Sequence, residues 1–253
     1  MNKKELLFYK EYEAFYAMAK ESGAFRSFCK DAFGEDFSQD GFSNKEQIEM
    51  ILQYVPQKDD VHILDIGCGN GKMLGYLQKK TKSHIHGFDY SEEAIRTAQD
   101  LFHENAEFRE GIIGQIEYPE EIFDVIISMD TLYFAADMTA FVAQVKKWLK
   151  KDGVFFVGYQ EGEIMPKTAN AHTTALAQAL RASDMTYEVT DLSQQTYLLL
   201  QTKREAALKH RSMFEAEGHR QWFDMLMGQT EYINLSLEQF KEKMARYIYV
   251  IRK

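Results

Sequence analysis

Between Met1 and about residue 30, Leu6, Leu7, Phe8, Tyr12, Phe15, Tyr16 and Ala19 recur at spacings of three and four, the signature of an amphipathic helix. A looser stretch follows with Gly34, Asp36, Gln39, Asp40, Gly41 and Asn44, and a second helix is predicted from about Lys45 to Tyr54. Pro56 and Asp59-Asp60 close this section. From His62 the texture changes to short apolar runs separated by helical segments. HILDIG at 62–67 and HIHGFD at 84–89 read as strands with a helix over Gly69–Lys79 between them. A helix at about Glu92–Glu104, a short strand at Glu107–Arg109, the strand FDVIISM at 123–129 and a helix at about Met138–Leu149 follow. The Asp152-Gly153 turn then leads to the strand VFFVGY at 154–159. Residues 166 to about 245 read as mostly helical, with TYEVTDL at 186–192 a candidate strand, and RYIYVIRK at 246–253 reads as the last strand.

Parallel strands need crossover connections, usually helices, so this alternation predicts an α/β fold with a doubly wound, mostly parallel sheet. In such sheets ligands bind beyond the carboxyl ends of the strands. The size, 253 residues and 29.5 kDa, fits one large domain with appendages. Lys plus Arg number 30 and Asp plus Glu 39, and the formal charge of −9 opposes nucleic acid or acidic membranes as partners. Cys29 and Cys68 make neither a disulfide framework nor a paired zinc-ligand spacing. No metal is expected. Met1–Phe15 mixes Lys and Glu among its apolar residues, unlike a signal peptide, and no window approaches the roughly 20 apolar residues of a membrane span. A soluble, cytoplasmic protein is the expectation.

The most informative segment is ILDIGCGNGKML at 63–74, an apolar strand carrying Asp65 that breaks into Gly67, Gly69 and Gly71 before a helix. A dinucleotide loop wants G-x-G-x-x-G, but Lys72 stands where its third glycine belongs. The D-x-G-x-G-x-G string resembles motif I of the class I S-adenosylmethionine (SAM) methyltransferases. Gly67 and Gly69, lacking Cβ atoms, let the backbone press against a cofactor, and Gly71 lets the helix start approach the strand. Asp65 suits the ammonium of SAM, and backbone N–H groups of the loop around Cys68 suit its carboxylate.

The resemblance implies further roles. Asp89, 18 positions after Gly71, stands where the family has its ribose-binding acid, Ser91 is available to cap the following helix, and Tyr90 is placed to cover the ribose or adenine edge. Where the family often has an acid for adenine, this chain reads Glu110-Gly111-Ile112-Ile113, so Ile112 and Ile113 imply apolar or backbone contacts, or a displaced residue such as Gln115. In EIFDVIISMDTLYF at 121–134, Met129, Asp130 and Tyr133 are the candidates facing cofactor and acceptor. Asp130 could equally cap a turn. His172 is the acid–base candidate in the stretch after strand five, although a solvated histidine is the plainer reading. Aromatic residues of the N-terminal helix either close over the sulfonium or simply pack.

The implied organisation is a helical cap at 1–58, a SAM-binding Rossmann-like core at 59–160, a helix-rich substrate region at 161–245 that adds to the sheet, and a final antiparallel strand at 246–253, making seven strands. The expected activity is transfer of the methyl group of SAM to a nitrogen or oxygen of a small-molecule acceptor, by a monomer or homodimer. Alternatives are a protein or RNA methyltransferase, or a non-catalytic SAM-binding regulator.

Overall fold

The computed structural model describes residues 3–253, so Met1 and Asn2, the start of the expected first helix, lie outside the described residues. That helix forms as two, α1 (Tyr9–Glu21) and α2 (Gly23–Phe33). Ser22 is the break: its backbone is extended and its Oγ accepts the Phe25 N–H at 3.0 Å, making it the N-cap of α2. A distant contact pins the break, because the Glu217 carboxylate accepts from Ser22 Oγ and from the Ala24 N–H. The helix expected over 45–54 is α helical only as α3 (Lys45–Glu49) and continues as a 3-10 helix over Met50–Tyr54. Pro56 holds Val55 extended, and the preceding turn tightens to meet it.

The core follows the expected alternation: β1 (His62–Ile66), α4 (Lys72–Thr81), β2 (His84–Asp89), α5 (Glu92–Leu101), β3 (Ala106–Glu110), β4 (Phe123–Met129), α6 (Met138–Trp148) and β5 (Leu149–Glu161). Then come α7 (Ala175–Ala182), β6 (Thr186–Asp191), the long α8 (Ser193–Ala216), α9 (Arg220–Gln229), α10 (Leu237–Lys243) and β7 (Ala245–Arg252). The seven strands lie in the order β3-β2-β1-β4-β5-β7-β6. Neighbours from β3 to β5 are parallel, and β7 runs antiparallel to both β5 and β6. The predicted turn at Asp152-Gly153 becomes an irregularity within β5, where the register with β4 jumps from Leu149↔Phe123 to Val154↔Val125.

Because strand side chains alternate, one face of the sheet carries Ile63, Ile85, Val125, Ile127 and Phe156 against the N-terminal helices, α8 and α9. The other carries Leu64, Ile66, Ile126, Phe155 and Val157 against α6 and α7. Burial on both faces explains the continuous apolar runs in the strands. β1 and β4 are central and adjacent, so the loops after them meet at the carboxyl edge of the sheet. The connection after β1 crosses to β2 on one side and that after β4 to β5 on the other, opening a crevice between them.

Candidate cofactor and acceptor site

The loop from Gly67 to Gly71 carries the chain from β1 into α4. The N–H groups of Gly67 and Cys68 both donate to the Phe88 carbonyl, at 2.9 and 3.0 Å, which ties the loop to β2. Gly67 has φ +74°, and a Cβ there would lie 2.7 Å from Thr131 Cγ2. Gly69 has φ +52°, and a Cβ there would collide with the Tyr16 hydroxyl of α1. These two bare positions let the loop fit between the cap and the segment after β4. Lys72, next in the motif, reaches back to the cap: its Nζ is 2.7 Å from Asp36 Oδ2 and 2.6 Å from Ser38 Oγ.

Against this loop lies a cavity of about 590 Å³, within the range of small-molecule sites. Asp65, 2 % exposed, lines it, and Oδ1 has no hydrogen-bond partner among the described residues. Burial, reinforced by the nearby Asp89 carboxylate, pushes its carboxyl well above the usual range. An orphan buried acceptor on a cavity wall fits a cationic donor such as an ammonium. Asp89 accepts from the Gly69 N–H at 3.0 Å and the Ser91 N–H at 2.9 Å, and burial pushes its carboxyl up to about 6. Capping of α5 falls to Ser91, whose Oγ accepts the Ala94 N–H. Asp89 is therefore released from that duty, and each oxygen keeps a lone pair for another donor. Tyr90 lines the cavity, with its ring 5.4 Å from Phe134 and its hydroxyl donating to the Leu7 carbonyl.

Cys68, Ile112, Ile113, Met129, Asp130 and Tyr133 line the same cavity. Gly71 does not; a Cβ there would meet Phe108 and Ala98, so it serves the close packing of α4. Gln115 is also outside the lining. Burial pushes the Tyr133 phenol up, and the neighbouring Tyr12 hydroxyl of α1 opposes the shift. His172 lies away from the cavity, its Nδ1 3.1 Å from the Tyr187 hydroxyl of the edge strand β6, so the fold does not bring it to the other candidates.

Asp130 is neither a turn cap nor a free carboxylate. Its Oδ1 accepts from Arg246 Nε and its Oδ2 from Arg246 Nη2, both at 2.9 Å, with the arginine fully buried. Arg246 Nη1 also donates to Gln47 Oε1 at 2.7 Å and Nη2 to Ser43 Oγ at 2.8 Å. One guanidinium thus joins the last strand, the end of β4 and the cap. The backbone of Asp130 has φ +58°, a conformation this fork helps to hold.

Sequence reasoning names Tyr16 only among the aromatics of the N-terminal helix that either close over a sulfonium or pack, and assigns no site role to Arg246 or Lys203. Arg246 had a visible signal, a charge inside the apolar run of the last strand. Lys203 stands at three- and four-residue spacings from Leu199, Leu200, Ala206 and Ala207, on the buried stripe of α8. The role of Tyr16 depends on a helix packing over a loop more than 50 positions away, which no local pattern records.

The methyltransferase-domain family matches residues 57–222, about two thirds of the chain. The chain belongs to that family. The chain is 26% identical over 228 residues to phosphoethanolamine N-methyltransferase 1 of Arabidopsis thaliana, covering 83% of this chain and 45% of the relative. It is 27% identical over 135 residues to a sterol 24-C-methyltransferase of Gibberella zeae, covering 51% and 35% respectively. The chain spans less than half the length of these curated relatives. Among solved structures, phosphoethanolamine N-methyltransferase 2 of Haemonchus contortus in complex with SAM superposes with a TM-score of 0.74 at 16% identity, covering 94% of this chain and 59% of that one. A cyclopropane synthase of Mycobacterium tuberculosis gives 0.68 at 17%, covering 96% and 98%. At such identities the likeness is one of fold. Among the described residues no helix is long and apolar enough to cross a membrane, and no three acidic, Cys or His side chains are grouped to hold a metal ion.

Proposed function

We propose that this methyltransferase transfers the methyl group of SAM to a nitrogen or oxygen of a small-molecule acceptor. One observation carries the reading: the partnerless buried oxygen of Asp65 opens on the same cavity wall as Asp89, which is relieved of helix capping. In this reading Asp65 receives the ammonium of SAM and Asp89 the ribose hydroxyls, while the N–H groups of Gly67, Cys68 and Gly69, already donating to the Phe88 carbonyl and to Asp89, leave the carboxylate end to other donors. Ile112, Ile113 and Met129 pack the adenine side, and Tyr90 covers the ribose. Bound SAM supplies the reactive methyl as a sulfonium.

The residues of the chain then have three tasks: to align the acceptor, to exclude water and to stabilise the cation. Alignment of this kind is worth roughly 7–11 kcal/mol in favourable intramolecular cases. Residues 1–58 and 161–245 supply the acceptor walls, with Tyr12, Tyr16 and Trp222 presenting ring surface to a cationic group. Tyr133 is the polar group of the post-β4 loop nearest in role to an acceptor contact, while Asp130 acts through Arg246 to position that loop. The relatives named for phosphoethanolamine and sterol methylation support a small acceptor, and the charge of −9 argues against nucleic acid. The working unit is a monomer or homodimer.

Calorimetric titration with SAM, S-adenosylhomocysteine and NADH tests the cofactor reading, followed by turnover with amines and phenols. Micromolar binding of the first two without NADH is expected. Folded protein that ignores SAM would sink the proposal.

A further inference from the structure

The acceptor side of the cavity contains a buried lysine with no ion-pair partner among the described residues. Lys203 of α8 is 2 % exposed and lines the cavity, where the other charged lining residues are carboxylates. No carboxylate lies within salt-bridge distance of it among the described residues. Among the described residues its Nζ is held by the Gly41 carbonyl at 3.3 Å and Gln229 Oε1 at 3.5 Å, over the faces of Phe42 and Phe33 at 5.2 and 5.7 Å. Both hydrogen bonds are long for a charged donor. A purely packing role on the buried stripe of a helix would be filled better by Leu or Met, since an ammonium buried without a counter-ion is costly.

The surroundings show what would satisfy it. Gln229 turns its oxygen to Lys203 and its Nε2 to Asp40 Oδ2 at 2.9 Å, so the amide holds the two opposite charges apart. Glu163 faces the cavity as well and is held by Gln160 Nε2 at 2.7 Å, again without a cation. An anion entering alone would meet Lys203 but also two carboxylates. A molecule bringing its own cation offsets both.

We propose that Lys203 is the specificity-determining cation of the acceptor compartment, and that the acceptor is an amine carrying a carboxylate or a phosphate. The anionic group pairs with Lys203, and the amine is drawn to the side of Asp40 and Glu163. The inference rests on the reading of the cavity as a SAM and acceptor site.

Protein saturated with S-adenosylhomocysteine is titrated with ethylamine, β-alanine and phosphoethanolamine, three amines that carry no anion, a carboxylate and a phosphate. At least one of the two anionic amines should bind about 30-fold or more tighter than ethylamine, and the tighter of the two tells which anion is read. Lys203→Gln should erase that advantage, Lys203→Arg should keep most of it, and the affinity for SAM should stay within about twofold in both. Equal binding of all three amines, no binding of either anionic amine, or an advantage that survives in Lys203→Gln overturns the proposal. Should Lys203→Gln fail to fold, the wild-type comparison of the three amines decides by itself. Failure to bind SAM or S-adenosylhomocysteine would instead bring down the cofactor reading, which is measured separately.

Discussion

Replacing Arg246 by Met removes both charged hydrogen bonds to Asp130 and the bonds to Gln47 and Ser43, while keeping a side chain that fills much of the space. What remains is a carboxylate, 8 % exposed, with Ser43 Oγ at 3.4 Å as its other side-chain donor. Breaking one side of a buried ion pair costs about 3–5 kcal/mol, most of it the stranded charge. For a chain of this size each kcal/mol moves Tm by about 2–4 °C, so a fall of about 6–20 °C is expected. Asp130→Asn should by itself be milder, because Arg246 keeps Gln47 and Ser43 as acceptors. The double variant should be more stable than the sum of the singles predicts by at least about 1 kcal/mol, since it strands no charge. Urea unfolding of the four proteins measures the cycle. A cost under about 1 kcal/mol for Arg246→Met, or strict additivity, would refute the view that this pair locks the end of β4 to the cap.

Other outcomes follow from the site and the sheet edge. Burial holds Asp89 at about 6 and raises Asp65 as well, and both proposed contacts need the carboxylate, so SAM affinity should weaken by at least about tenfold per pH unit below 6; Asp89→Asn should make that fall shallower, and a variant with an unchanged slope would contradict the ribose contact. Gly69→Val places a Cβ into the Tyr16 hydroxyl at positive φ, so SAM binding measured by calorimetry should be lost while the circular dichroism spectrum is kept, and a retained affinity would count against the loop as the cofactor cradle. His86 at the opposite end of the strands is pushed down by burial, opposed by Glu107 and aided by His62 and His84. The unfolded chain therefore takes up the extra proton first, and stability should decline as pH falls below about 6.5, by at most about 1.4 kcal/mol per unit from this group. His86→Gln should flatten that dependence in denaturant titrations, and an unchanged slope would show that other groups set it.

Much of the core was legible because its determinants are local. The apolar runs at 62–67, 84–89, 123–129 and 154–159 became β1, β2, β4 and the main part of β5, since burial on both faces leaves no choice of period. The glycine string around Gly67 and Gly69 announced a backbone pressed against something, and the capping preference of Ser91 freed Asp89 as expected. Boundaries were less legible where a distant group intervened. Glu217 supports the break at Ser22, and Phe123 and Val125 decide where β5 begins to pair.

The candidate site divides along the same line. The family resemblance picked out Asp65, Cys68, Asp89, Ile112, Ile113, Met129 and Tyr133, and the fold gathers them at one cavity because all lie at or near the carboxyl ends of neighbouring parallel strands. His172 carried the right chemistry but follows a segment that leaves the cavity for the sheet edge. Asp130 carried the right position, but whether a carboxylate is free depends on what faces it. That partner, Arg246, comes 116 positions later and arrives only because β7 inserts between β5 and β6. The sequence by itself determined the alternation of strands and helices and the glycine loop, since both are set by the conformational limits and burial of neighbouring residues. Tertiary structure alone decided that Asp130 is tied to Arg246 and that Lys203 lines the cavity with no ion-pair partner among the described residues, because charge pairing depends on distance through space.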